Sequence, residues 1–235
     1  MTTIENRLQA VRARIDAAAR RYGRLADEIR LLAVSKTWPT EAVLAAAAAG
    51  QLAFGENYVQ EASAKMDDLA ALPWPLAAPA EWHFIGPLQR NKTRSVAERF
   101  AWVHTVDRLS IAERLSAQRP NTLPPLAVCL QVNVSAEASK HGLPCAQIPA
   151  LAHAVAALPR LRLRGLMAIP QATNDFAAQR LAFAQVRTLY ESLRSEGLAL
   201  DTLSLGMSHD LEAAIAEGAN LVRVGTAIFG ERVSA

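Results

Sequence analysis

Lysine is scarce in this chain. Of its 25 basic residues only four are lysines (Lys36, Lys65, Lys92 and Lys140), which leaves 21 arginines. A plain positive charge is supplied here by arginine, so a lysine in an apolar segment asks for a chemical reason. Cysteine is scarcer still. Cys129 and Cys145 lie 16 residues apart, which is neither a metal-ligand nor a redox spacing, and they read as reduced thiols of a cytoplasmic protein. Long apolar runs are missing as well. The longest, Ala42 to Ala49, is under half of what crosses a bilayer, and the first residues carry no apolar stretch of a secretory signal. Neither a membrane nor a secreted protein is expected. The net charge is only +3, too small to point to nucleic acid. No Pro/Gly/Ser-rich linker divides the 235 residues, so one domain over 1–235 is expected.

What is present is a repeated alternation. Residues 4 to 22 place Ile4, Leu8, Val11, Ile15 and Ala18 at spacings of three and four, an amphipathic leading helix. Short strand-like apolar runs then start near Leu31, Leu52, Trp82, Trp102, Leu126, Leu161, Leu203 and Leu221. Helical stretches separate them at about 41–49, 57–71, 90–99, 108–118, 146–157, 174–196 and 209–217. Thr40 reads as the N-cap of the first of these and Gly50 as its stop. The proline-rich 73–79 reads as a loop. Continuous apolar strands alternating with helices mean a parallel sheet buried on both faces. Eight strands in this length suit an α/β fold of the (β/α)8, or TIM-barrel, type with an extra N-terminal helix.

Active residues of such a barrel sit at the C-terminal ends of the strands. Lys36 ends the first strand after Leu31 to Val34. A lysine partly desolvated there has its pKa lowered and its amine freed to attack a carbonyl; the plain alternative is a lysine that reaches to solvent at the rim. Two further turns, Gly206-Met207-Ser208 and Arg223-Val224-Gly225-Thr226, follow the seventh and eighth predicted strands, where barrels frequently bind phosphate. A reactive lysine facing a phosphate cradle fits a phosphorylated aldehyde such as pyridoxal 5′-phosphate (PLP), held as a Schiff base. Arg223 is then the candidate partner of the ring nitrogen. The cluster Arg90 to Arg94 reads as a solvated helix start, and His104 and His153 as structural. Glu56 and Glu61, five apart, need not face each other. Asp210 and Glu212 are expected to turn away from a bound phosphate.

The segments Ala33 to Thr37, Phe54 to Glu61, Trp82 to Lys92, Gly165 to Ile169, Leu205 to Ile215 and Val222 to Gly230 together resemble the pyridoxal phosphate homeostasis protein family, and the resemblance runs from residue 33 to 230. It implies a barrel like the alanine racemase N-terminal domain, with Lys36 carrying the cofactor. It further implies Asn57 and His83 near the ring, Met207 and Ser208 beside ring and phosphate, Arg223 at the ring nitrogen, and Gly225 with Thr226 completing the cradle. The implied role is to buffer and deliver PLP in the cytoplasm (vitamin B6 homeostasis), with PLP-dependent apo-enzymes as recipients and no turnover of its own. Trp38 departs from the family, since many relatives carry a second basic residue there; Lys140 remains as a second amine. The alternative is a weak amino-acid racemase. Two-base racemisation needs an acid/base group on each face. The chain ends at Ala235, so no second domain is expected to supply a tyrosine, and Tyr58 is the nearest substitute. With no heptads and no swap segment, a monomer is expected.

Overall fold

The computed structural model describes residues 3–71, 80–135 and 141–231. Its strands are β1 (Arg30–Val34), β2 (Ala53–Glu56), β3 (Glu81–Phe84), β4 (Trp102–Val106), β5 (Leu126–Asn133), β6 (Leu143–Pro144), β7 (Leu161–Ala168), β8 (Thr202–Ser204) and β9 (Leu221–Val224). The helices are α1 (Ile4–Arg21), α2 (Thr40–Ala48), α3 (Val59–Ala71), α4 (Thr93–Arg99), α5 (Leu109–Gln118), α6 (Ile148–Ala156), α7 (Phe176–Ser195), α8 (Leu211–Ala216) and α9 (Thr226–Phe229). Pairing runs β4-β3-β2-β1-β9-β8-β7-β5, and a further β4–β5 pairing joins the ends. Every pairing is parallel, so the sheet closes into the expected eight-stranded barrel.

Two details differ from the sequence reading. The two-residue β6 pairs beside the end of β5, outside the ring, and is too short to leave an apolar signature. Thr40 is the first residue of α2 rather than its cap; Pro39 precedes it, and the Thr40 hydroxyl donates to Asp68 Oδ2 at 2.7 Å. The proline-rich 73–79 and Lys140 lie outside the described residues.

Side chains alternate across the barrel wall, as the pleat requires. Outward residues such as Ala33, Phe54, Phe84 and Val103 join the main core beneath the helices. Trp102, Ala127, Cys129 and Met167 form a separate small cluster on the inward face. Bulky branched residues usually fill a barrel interior. Here His83, His104, Ser204 and Arg223 share it, all buried. Cys129 is a free thiol whose pKa burial pushes up to about 12, so it behaves as an inert apolar residue.

The leading helix is capped by the Thr3 hydroxyl, which accepts from the Asn6 N–H. Leu8, Val11, Ile15, Ala18 and Ala19 bury its apolar stripe against α2, α8 and α9. Its polar edge ties down the turn after β8 and the end of α9. Arg14 donates to the Ser208 carbonyl at 3.1 Å and forks onto Glu212, and Arg7 donates to the Phe229 carbonyl at 2.9 Å. None of the described helices is long and apolar enough to cross a membrane.

Candidate functional site

Lys36 sits in a tight turn at the end of β1. The Trp38 N–H donates to the Ser35 carbonyl at 3.1 Å, and Thr37 takes φ +68°, as the third residue of a type II turn does. A β-branched residue in the left-handed region is strained, and such strain concentrates at functional sites. It is held here from outside the barrel wall, because the Thr37 N–H donates to Glu61 Oε1.

Glu61 belongs to a buried ionic cluster directly behind the turn. Lys65 of α3 places Nζ 2.6 Å from Glu61 Oε1, 2.7 Å from Glu56 Oε1 and 2.8 Å from the Ser35 carbonyl. The Ser35 hydroxyl donates to Glu56 Oε1 at 2.7 Å. Burial raises the pKa of Glu56, with Lys65 and Ser35 opposing it. The two glutamates that need not have faced each other therefore converge on one ammonium. Sequence reading missed this role of Lys65, although the scarcity of lysine marked it as much as Lys36, and Glu61–Lys65 has the i,i+4 spacing of a helical ion pair.

Beside the Lys36 turn lie the turns after β8 and β9, because β9 pairs with β1 and β8 with β9. Gly206 takes φ +87°, and a Cβ there would meet Ala214 Cβ at 2.7 Å. Asp210 accepts the Met207 N–H at 2.6 Å; burial raises its pKa, opposed by that bond and by Arg223. Glu212 pairs with Arg14. Both acids are engaged by the protein. Among the described residues, no protein acceptor meets the N–H groups of Ser208, Gly225 or Thr226. At Gly225 a Cβ would lie 3.2 Å from the Val34 carbonyl, so glycine lets this turn close against β1.

These elements enclose one cavity of about 220 Å³, lined by Val34, Lys36, Trp38, Met207, Ser208, His209, Arg223, Gly225, Thr226 and Gly230. Six of the eight sequence-selected residues thus meet: Lys36, Met207, Ser208, Arg223, Gly225 and Thr226. Trp38 forms a wall and stacks on Phe229, with ring centroids 5.9 Å apart. A larger hollow of about 480 Å³ adjoins it, sharing Met207 and His209. Arg223 forms the floor. Its guanidinium donates to the Ser204 carbonyl, to Ser204 Oγ at 2.8 Å and to the Ala168 carbonyl at 3.0 Å. Burial lowers its pKa to about 10, with Asp210 opposing, so it stays charged at neutral pH.

Asn57 and His83 do not line this cavity. Asn57 follows β2, with Oδ1 buried and without a hydrogen-bond partner. His83 is fully buried in the barrel interior and has both ring nitrogens engaged, with His104 at 2.8 Å and Glu81 at 2.7 Å. Arg90, Asn91 and Arg94 of the basic cluster are exposed at the start of α4. His104 is buried in the wall's interior and His153 pairs with Glu196 on the surface.

The model of the alanine racemase N-terminal domain family matches residues 7–233. A pyridoxal phosphate homeostasis protein from Pseudomonas aeruginosa is 60% identical over 232 residues, covering 99% of this chain and 97% of that protein. One from Escherichia coli K12 is 53% identical, covering 99% and 98%. The solved structure of PipY from Synechococcus elongatus with PLP bound superposes with a TM-score of 0.82 at 38% identity, covering 97% of this chain and 100% of that one. On the family match over nearly the whole chain and these identities, the chain belongs to the alanine racemase N-terminal domain family and, within it, to the pyridoxal phosphate homeostasis proteins.

Proposed function

We propose that this chain binds PLP in the Lys36 cavity and serves to buffer and deliver it in the cytoplasm. The observation that carries the reading is that a strand-end lysine and three unpaired backbone N–H groups border one cavity. Bound PLP supplies an aldehyde, a pyridine ring and a phosphate dianion. Lys36 supplies the amine for the aldehyde. Ser208, Gly225 and Thr226 supply N–H and hydroxyl donors for the phosphate. Because α8 and α9 have only six and four residues, these local donors, rather than a long helix dipole, hold the anion. Arg223 offers a fixed cation to the ring nitrogen, and like-charge repulsion keeps a proton off that nitrogen. The ring is thereby a weaker electron sink, which suits retention over turnover.

The racemase alternative needs a second acid/base group facing Lys36. None of the three tyrosines lines the cavity: Tyr22 ends α1, Tyr190 donates to the Leu200 carbonyl at 3.1 Å, and Tyr58 is 56% exposed. A positioned acid/base group contributes about 10²–10⁴-fold in rate, so turnover of amino acids is expected to be poor. Recipient apo-enzymes and a monomeric state belong to the same proposal.

Ser208→Ala tests the cradle. Hydrogen bonds to charged groups contribute about 1.5–3 kcal/mol each, so PLP affinity should fall by roughly one to two powers of ten. Pyridoxal, which lacks the phosphate, should bind both proteins alike. Equal weakening of the two ligands would contradict the assignment.

A further inference from the structure

The barrel interior holds a continuous line of polar contacts from the cavity floor to the opposite mouth. Arg223 Nη1 lies 2.8 Å from Ser204 Oγ, Ser204 Oγ 2.8 Å from His104 Nδ1, His104 Nε2 2.8 Å from His83 Nδ1, and His83 Nε2 2.7 Å from Glu81 Oε1. Arg30 closes the line with an ion pair to Glu81. Both rings are wholly buried, and His83 stacks on Trp102 with an interplanar angle of 6°, which fixes its plane.

We propose that His83 and His104 are positioning residues that act through Ser204 to orient Arg223, and that neither touches the cofactor. The inference deepens the PLP reading and rests on it for what Arg223 does.

With both imidazoles neutral, the ends of the line set the direction of every hydrogen bond in it. An arginine can only donate and an ionised glutamate can only accept. Arg223 donates to Ser204 Oγ, and the Ser204 hydroxyl donates to a bare His104 Nδ1. His104 Nε2–H donates to a bare His83 Nδ1, and His83 Nε2–H donates to Glu81. The consequence falls on Ser204. A hydroxyl beside a guanidinium is useful only if it turns a lone pair toward it. The bare His104 Nδ1 draws the hydroxyl hydrogen away and leaves that lone pair facing Arg223.

Both imidazoles must be neutral for this pattern. The charged groups facing them are Arg223 on the cavity side and Glu81 with Arg30 on the other. Burial lowers the pKa of His104 well below 6.5, and the charges of His83, Arg223 and Arg30 act in the same direction. Burial also lowers that of His83, with Glu81 opposing and Arg30 assisting. Glu81 stays ionised: burial works against it, but the hydrogen bond from His83 and the nearby Arg30 outweigh it. Sequence reading set His83 beside the ring and His104 aside as structural; the geometry joins them in one device.

The direct test is ¹⁵N NMR of the unloaded chain, labelled at histidine, at neutral pH. His83 and His104 should each show a protonated Nε2 and a bare Nδ1. A proton on His104 Nδ1, or protons on both nitrogens of His83, overturns the inference. A binding cycle supplies a second test. His104→Phe should weaken PLP by roughly tenfold, the range of one hydrogen bond to a charged group, and should change nothing further in an Arg223→Ala background. Equal losses in both backgrounds would mean that His104 acts by packing. Failure of the unaltered chain to bind PLP would sink the functional reading, while the ring-nitrogen signals, read without cofactor, decide the relay by themselves.

Discussion

Two buried polar systems support the cavity from opposite sides of the barrel wall, and they are built differently. Outside the wall, Lys65 is gripped at one point by Glu56, Glu61 and the Ser35 carbonyl, and this cluster holds the strained Lys36 turn. Inside it, charge is confined to the ends of a line, Arg223 at one and Glu81 with Arg30 at the other, with two imidazoles and a hydroxyl between them. The compact cluster fixes a backbone; the line fixes a side chain. Buried ions close together depend on each partner for compensation. Neutral groups in series depend on proton placement. Substitution should therefore damage the first through charge and the second through pH.

The largest effect is expected at Lys65. Lys65→Met leaves Glu56, which is fully buried, facing Glu61 without a cation, and removing one partner of a buried ion pair costs about 3–5 kcal/mol. Chemical denaturation should show this loss, and adding Glu56→Leu should recover much of it; a loss below 1 kcal/mol would break the comparison. Next comes acid sensitivity of the interior line. The unfolded chain protonates histidine near 6.5, whereas folded His104 stays neutral well below that value. Stability is therefore full above pH 6.5 and falls as pH drops, by about 1.4 kcal/mol per pH unit for each such ring. Stability measured between roughly pH 6.5 and 5.5 should lose one ring's share of that slope in His104→Phe; an unchanged slope would contradict it. The smallest effect belongs to Glu61→Gln. Its side chain is 27% exposed, and Gln keeps an oxygen for the Thr37 N–H, so the loss should be about 0.5–1 kcal/mol. A cost as large as that of Lys65→Met would mean that Glu61, not Glu56, anchors the cluster.

The same comparison shows what a one-dimensional reading can reach. All eight barrel strands were legible because each is a continuous apolar run between helical stretches, and α1 was legible from its stripe of Leu8, Val11, Ile15 and Ala18. Lys36 and the Ser208 and Gly225-Thr226 turns were legible because strand ends in such a barrel define one face. The partners of Lys65 were not, since Glu56 reaches it across a strand-to-helix packing contact and only Glu61 stands at a helical spacing. His83 was legible as a residue near a strand end but not as one with both ring nitrogens engaged inside the barrel. Strand alternation says that its side chain points inward; it does not say whether the ring turns toward the cavity or toward Glu81. Nor could sequence link His104 to Ser204, 100 residues away.

The central claim is that Lys36 holds PLP, and borohydride reduction of the PLP-loaded chain followed by peptide mass mapping tests it most directly. The pyridoxyl mass should appear on the peptide containing Lys36 and vanish in Lys36→Ala, which should still bind some PLP through Ser208 and the Gly225-Thr226 turn. Label on Lys65, Lys92 or Lys140 with Lys36 unmodified would contradict the account.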